Sequence, residues 1–274
     1  MNLQKRAWKI RHTLLDMFGS GKAHHFGGSL SCAEAVACLY FYKMKYSKEL
    51  MKSPDRDRFI MSKGHSVPTQ YVALALLGII PREELKTIKQ FGSRLQGHPD
   101  IRKTPGIEAN TGSLGQGLSV ANGMAMAARL DELEFKIYVL AGDGEMQEGQ
   151  MWEAVMTSSH YKLGNVCLIV DRNHYQSQGL VNESMRIDPL EERLTSFGWR
   201  TITVDGHDTK QLCRALDMIE DNRNVPLAVI ADTVKGKGVS FIENTFKGHN
   251  YAMTETELQQ AFTEVETILN GMED

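Results

Sequence analysis

Gly142-Asp143-Gly144 closes an apolar run from Ile137 to Ala141, and Asp171-Arg172-Asn173 closes a second, with Asn173 thirty positions after Asp143 (173 minus 143). Aspartate and asparagine offer the hard oxygens that Mg²⁺ accepts. Phosphate, water and backbone oxygens usually complete its near-octahedral shell. The pair therefore points to a metal-bound diphosphate. Glycines on both sides of Asp143 let the backbone approach phosphates. The segment after them, rich in Glu, Gln, Ala and Met, is expected to begin a helix whose N-terminus favours anions. Gly-Asp-Gly alone could be a simple turn. Its position raises its meaning, because both halves fall at strand ends, where open α/β sheets hold their ligands.

Four histidines stand beside glycines: His25 before Gly27-Gly28, His65 in Ser62-Lys63-Gly64-His65, His98 in Gln96-Gly97-His98-Pro99, and His249 in Lys247-Gly248-His249-Asn250. One such histidine is usually an ordinary loop residue. Four in the same context suit chemistry on a sugar carbonyl, since imidazoles donate hydrogen bonds to hydroxyls and alkoxides and move protons near neutral pH. Thr111-Gly112-Ser113-Leu114-Gly115-Gln116-Gly117 precedes a helix without the spacing of a dinucleotide fingerprint. Gly112 to Leu114 are candidates for a turn against a ligand ring, while Gly115 and Gly117 serve equally well as close-packing positions. Gly19-Ser20-Gly21-Lys22 lacks the remaining residues of a P-loop, and Gly236-Lys237-Gly238 stands alone.

The elements that must position these residues alternate along the chain. Helical spacing covers 3–19, and Ser31-Cys32-Ala33-Glu34 reads as a capping box opening a second helix. Arg58 to Ser62 is a short strand, and Val67–Leu77 and Gly115–Leu130 are buried helices. Strands at 136–141, 165–171, 200–204 and 226–232 then alternate with helices near 147–162, 188–197 and 209–220. That order predicts an α/β fold, a doubly wound parallel sheet flanked by helices. Residues 172–187 form a long connection starting at the presumed metal site, and long ordered loops at strand ends are usually functional.

With 274 residues, 42% hydrophobic and 24% charged, the chain suits one large domain over 1–274. A net charge of -3 gives no reason to expect nucleic acid or an acidic membrane as partner. No apolar stretch reaches membrane-spanning length, and no signal core follows the charged N-terminus, so a cytoplasmic location is expected. Cys32, Cys38, Cys167 and Cys213 lack metal-ligand spacing and read as reduced, mostly buried thiols.

As a set, the motifs from His25-Phe26-Gly27-Gly28 through Asp171-Arg172-Asn173 resemble the N-terminal, diphosphate-binding part of transketolases, in that family's order and over nearly the whole chain. The resemblance implies a thiamine diphosphate enzyme that moves a two-carbon ketol unit from a ketose to an aldehyde. It also implies site roles. Asp143, the Asn173 side chain and the Tyr175 backbone carbonyl would hold Mg²⁺ or Ca²⁺. Gly144 and Asn173 would meet the diphosphate, with Glu145 alongside. His65 would contact the cofactor, and Gly112, Ser113 and Leu114 would line its aminopyrimidine. His25, His98 and His249 would bind sugar hydroxyls around the reacting carbon, with His249 also near the cofactor. Glu148 matches a carboxylate linking paired cofactor sites, although a first-turn helix glutamate explains it equally well.

Phe26 and Ser113 depart from prolines usual in the family. Phe246 to Tyr251 departs from its Trp-His pattern, so the family histidine aligns either with His249 or two residues away. The family's pyrimidine-binding domain, whose glutamate activates the cofactor, does not follow in this chain. The expected partner is a separate C-terminal transketolase subunit carrying that domain, in an α2β2 heterotetramer. Two other readings compete. One is the α subunit of a 2-oxo acid dehydrogenase or decarboxylase, against which His65 and Gly97-His98-Pro99 argue. The other is a catalytically silent cofactor-binding scaffold, which the four histidines make less economical.

Overall fold

A computed structural model describes residues 2–221 and 223–273. Its centre is a five-stranded, wholly parallel sheet of β1 (Arg58–Met61), β2 (Ile137–Gly142), β3 (Val166–Arg172), β4 (Arg200–Asp205) and β5 (Leu227–Asp232), in the order β1-β2-β3-β5-β4. These strands read as nearly continuous apolar runs because helices cover both faces. Alternate side chains sort accordingly. Phe59, Met61, Tyr138, Leu140, Ile169 and Val229 enter one core, while Ile60, Val139, Ala141, Leu168, Val170 and Ile230 enter the other.

The helices are α1 (Leu3–Phe18), α2 (Phe26–Ser31), α3 (Ala33–Cys38), α4 (Val67–Leu76), α5 (Gly117–Leu130), α6 (Gly149–His160), α7 (Val181–Ser184), α8 (Leu190–Ser196), α9 (Thr209–Asp217) and α10 (Glu255–Asn270). The first core takes α1, α2, α3, α4, α9 and α10, and the second takes α5, α6 and α8. The expected parallel sheet between helical layers is therefore what the chain forms. Among the described residues, no helix is long and apolar enough to cross a membrane. The cysteines are free, and all but Cys213 are buried.

Three local expectations differ from the structure. The capping box is not at Ser31. That hydroxyl donates to the Gly28 carbonyl and to Asp171, and Glu34 takes both guanidinium nitrogens of the buried Arg11 at 2.6 Å. A buried ion partner outweighs a local cap, and α2 begins earlier, at Phe26. A capping box does form at Thr254 and Glu257, where it opens α10, a helix absent from the sequence-based expectation. Finally, the segment after Gly144 is a single 3₁₀ turn, Gly144–Gln147, and α6 starts only at Gly149, so no helix N-terminus sits at the Gly-Asp-Gly itself.

Candidate active site

The C-terminal ends of β1, β2, β3 and β5 open into one cleft of about 340 Å³. Each exit delivers a motif. After β1 comes the 3₁₀ turn Gly64–Ser66 with His65, after β2 comes Asp143, after β3 come Asn173 and Tyr175, and after β5 comes Lys235. His25 sits at the start of α2. The long loop 172–187 folds back on itself through a bridge between Tyr175 and Leu180 and through the single turn of α7.

At one end of the cleft, Asp143 is buried and accepts from only two backbone donors, Gly144 N–H at 2.8 Å and His174 N–H at 2.6 Å. Burial, with the Asp171 carboxylate nearby, pushes its pKa up to about 7. A carboxylate so poorly compensated is suited to a cation. Asn173 Oδ1 and the Tyr175 carbonyl add neutral hard oxygens, the donor chemistry of Mg²⁺ or Ca²⁺. These residues fit the ion that the sequence reading expects. Among the described residues, no cluster of three His, Cys, Asp or Glu side chains forms a metal site, consistent with a donor set built largely from amide and backbone oxygens.

At the other end four imidazoles converge. Ring centroids lie 5.2 Å apart for His25 and His65, 5.4 Å for His25 and His249, 5.2 Å for His65 and His249, and 6.4 Å for His25 and His98. His249 reaches the cluster because paired hydrogen bonds between His24 and Tyr251, at 2.9 and 3.0 Å, lay its segment beside residue 25. Burial, and then the neighbouring His249, lowers the His25 pKa to about 4. Burial, and then Lys235, does the same for His249. Burial also depresses His65 and His98, helped by Lys63 and Lys89 respectively. The four rings are therefore neutral at pH 7, each with one donor and one acceptor nitrogen.

Gly112 has φ of +140°, and a Cβ there would lie 2.8 Å from the His98 ring, so only glycine lets this turn approach the cleft. Leu114 lines the cleft beside it, whereas Ser113 is exposed and outside the lining. Gly117 packs against Ser62, where an added Cβ would collide with the hydroxyl oxygen, which makes it a packing position. Glu145 lines the cleft, but its carboxylate accepts from Ser62 Oγ at 2.6 Å and from the Gly115 and Gly142 N–H groups at 3.0 Å. Its geometry braces those loops. Glu148 is exposed at the cleft rim, immediately before α6.

Sequence reasoning overlooked two lysines. The Lys235 ammonium donates to the carbonyls of Tyr175 and Gln176, both at 3.0 Å, and burial lowers its pKa to about 8. Its signal was a cation just past the end of a parallel strand, where ligands bind. Lys63, quoted only as part of a motif, is buried and pairs with Asp171 at 2.5 Å.

The model of the transketolase thiamine diphosphate binding domain matches residues 3–266. One of the two subunits of the apulose-4-phosphate transketolase of Phocaeicola vulgatus is 42% identical over 271 residues, covering 99% of this chain and 96% of that protein. The 6-deoxy-6-sulfo-D-fructose transketolase subunit SqwG of a Clostridium species is 41% identical over 266 residues, covering 97% of both. Among solved structures, the transketolase of Campylobacter jejuni superposes with a TM-score of 0.90 at 31% identity, covering 97% of this chain and 43% of that one. This chain thus spans less than half of such longer transketolases, and nearly all of the relatives named as subunits. By the domain model, and by relatives above 40% identity along almost its full length, the chain belongs to the transketolase family, as a thiamine diphosphate-binding transferase subunit.

Proposed function

We propose that this chain, read as one diphosphate-binding domain over 1–274, is the N-terminal half of a two-subunit transketolase. It would transfer a two-carbon ketol unit from an anionic ketose to an aldehyde. The observation that carries the reading is the convergence of four neutral histidines over the Asp143 and Asn173 end of the cleft. The relatives named as separate subunits support a distinct partner, which would carry the pyrimidine-binding domain in an α2β2 assembly in the cytoplasm. Their names carry a phosphate in one case and a sulfonate in the other, which favours a sugar with an anionic tail.

In this reading Asp143, Asn173 Oδ1 and the Tyr175 carbonyl hold Mg²⁺ or Ca²⁺. Gly144, Asn173 and the Lys235 ammonium face the diphosphate, and Gly112 to Leu114 bound the aminopyrimidine. Bound thiamine diphosphate supplies the electron sink that lets a carbon–carbon bond beside a carbonyl break and re-form. The protein orients, excludes water and handles protons. His25, His98 and His249 grip sugar hydroxyls. A neutral imidazole can donate to the carbonyl oxygen as it gains charge and return a proton as that charge is lost, which a permanently cationic ring could not do. His65, deepest of the four, faces the cofactor.

The test is reconstitution. The purified chain alone is expected to show no ketol transfer, and activity is expected on adding a C-terminal transketolase subunit with ketose phosphate or sulfonate as donor. Turnover of 2-oxo acids in place of ketoses would overturn this reading. So would tight cofactor uptake without turnover of any ketose in the reconstituted complex.

A further inference from the structure

Asp171 lies beneath the cleft, buried, and accepts four side-chain hydrogen bonds. Oδ2 takes Ser31 Oγ at 2.6 Å, Lys63 Nζ at 2.5 Å and Asn173 Nδ2 at 2.9 Å, while Oδ1 takes Thr233 Oγ1 at 2.5 Å. The donors come from the end of α2 and from the exits of β1, β3 and β5. One carboxylate thus ties together the segments that deliver the cleft residues.

An asparagine amide has two ends of nearly equal shape and opposite chemistry, a donor and an acceptor. Left free, it can present either to a ligand, and only the oxygen can bind a cation. Here Nδ2 is committed to Asp171, and Oδ1 points the other way, where it accepts from Tyr175 N–H at 3.2 Å. The charge of the anchor is also controlled. Lys63, which donates to the Gly28 carbonyl at 2.8 Å as well, neutralises Asp171, so the anchor does not confront a diphosphate with a second bare negative charge.

We propose that Asp171 is a positioning residue that locks the Asn173 amide with its oxygen toward the cation, and so sets the affinity for the metal–diphosphate unit. This rests on the cation assignment made above. Groups that orient metal ligands from behind commonly change metal affinity by about 10- to 100-fold when lost.

The experiment measures the Mg²⁺ concentration needed for half-maximal uptake of thiamine diphosphate by the reconstituted two-subunit enzyme, in a double-mutant cycle. Asp171→Asn is expected to raise it about 10- to 100-fold. In an Asn173→Asp background the same change is expected to cost less than about threefold, because a carboxylate presents an oxygen whichever way it turns. Equal losses in both backgrounds would mean that Asp171 only supports the fold, and would overturn the proposal. If Asp171→Asn alone does not fold, the double variant still decides. It exchanges the two groups and keeps an amide–carboxylate contact, so a Mg²⁺ requirement near that of Asn173→Asp supports the lock, and one tenfold higher removes it. Wild-type uptake that is independent of Mg²⁺ would overturn the cation assignment and this proposal together. Mg²⁺-dependent uptake that Asp171→Asn leaves unchanged would overturn this proposal alone.

Discussion

The two ends of the cleft solve opposite electrostatic problems. At the Asp143 end the protein buries full charges and leaves one of them, Asp143, with only backbone donors for company. At the histidine end it gathers four titratable rings and keeps them uncharged by burial and by lysines nearby. A charged ligand rewards the first arrangement, since a bound cation relieves a desolvated carboxylate. Neutral hydroxyls reward the second, because a ring with both a donor and an acceptor nitrogen can serve an alcohol, an alkoxide or a carbonyl in turn. The comparison teaches that one sheet edge can present unsatisfied charge and suppressed charge within a single cleft.

Breaking the charged end is expected to have the largest effect. Asp143→Ala should weaken Mg²⁺-dependent uptake of thiamine diphosphate by about a hundredfold or more, beyond the range typical of outer-shell changes. Calorimetric titration of the reconstituted enzyme checks this, and uptake within threefold of wild type would break the assignment. At the neutral end, His98→Ala should lower kcat/KM for the ketose by about a hundredfold, on the order of 3 kcal/mol, while cofactor affinity stays the same. His65→Ala should lower both. If the two variants behave alike, the division between a ring that meets the cofactor and a ring that meets the sugar is lost.

The two ends also predict opposite pH dependences. His24, His25 and His249 have folded pKa values of about 4 against 6.5 for an exposed ring, so the unfolded chain binds more protons between those values. Their stability contribution is fully present above pH 6.5 and is lost as the pH falls through 4. Asp143, raised to about 7 from 3.8, acts in reverse: the folded state holds the extra proton, and stability is lost as the pH rises through 7. A cation on Asp143 removes only the second loss. Thermal melts should therefore show a larger rise in Tm on adding Mg²⁺ with diphosphate at pH 8 than at pH 5, and an equal rise would contradict the assignment of Asp143. The smallest effect lies away from both ends. Thr254→Ala removes the cap of α10 and should cost about 1 kcal/mol by denaturant melt, with kcat/KM unchanged.

Much of this was legible in the sequence because it is local. Buried parallel strands announce themselves as apolar runs, and motifs at their ends mark the ligand edge, which brought Asp143, Asn173 and the four histidines into view together. What escaped depends on distant partners. Ser31 and Glu34 have the spacing of a capping box, but Glu34 belongs to Arg11 and Ser31 to Asp171, 140 positions away. Thr254 and Glu257 carry the same pattern with no such rival, and there the box forms. Lys235 was overlooked because its neighbours, the Tyr175 and Gln176 carbonyls, come from another strand's loop, and a backbone carbonyl leaves no mark on a sequence.

The bridge between His24 and Tyr251 has a consequence for synthesis on the ribosome. His25 and His65 emerge early, but the wall they share with His249 cannot close until residue 251 has left the exit tunnel and paired with residue 24. The same late segment continues into α10, which returns to α1 through His12 and Glu266 and through Lys5 and the Met272 carbonyl. Translation thus leaves an assembled sheet waiting with an open cleft. A cofactor or a partner that needs the finished wall can engage only after nearly all of this domain has been made, so binding itself reports that the domain is complete.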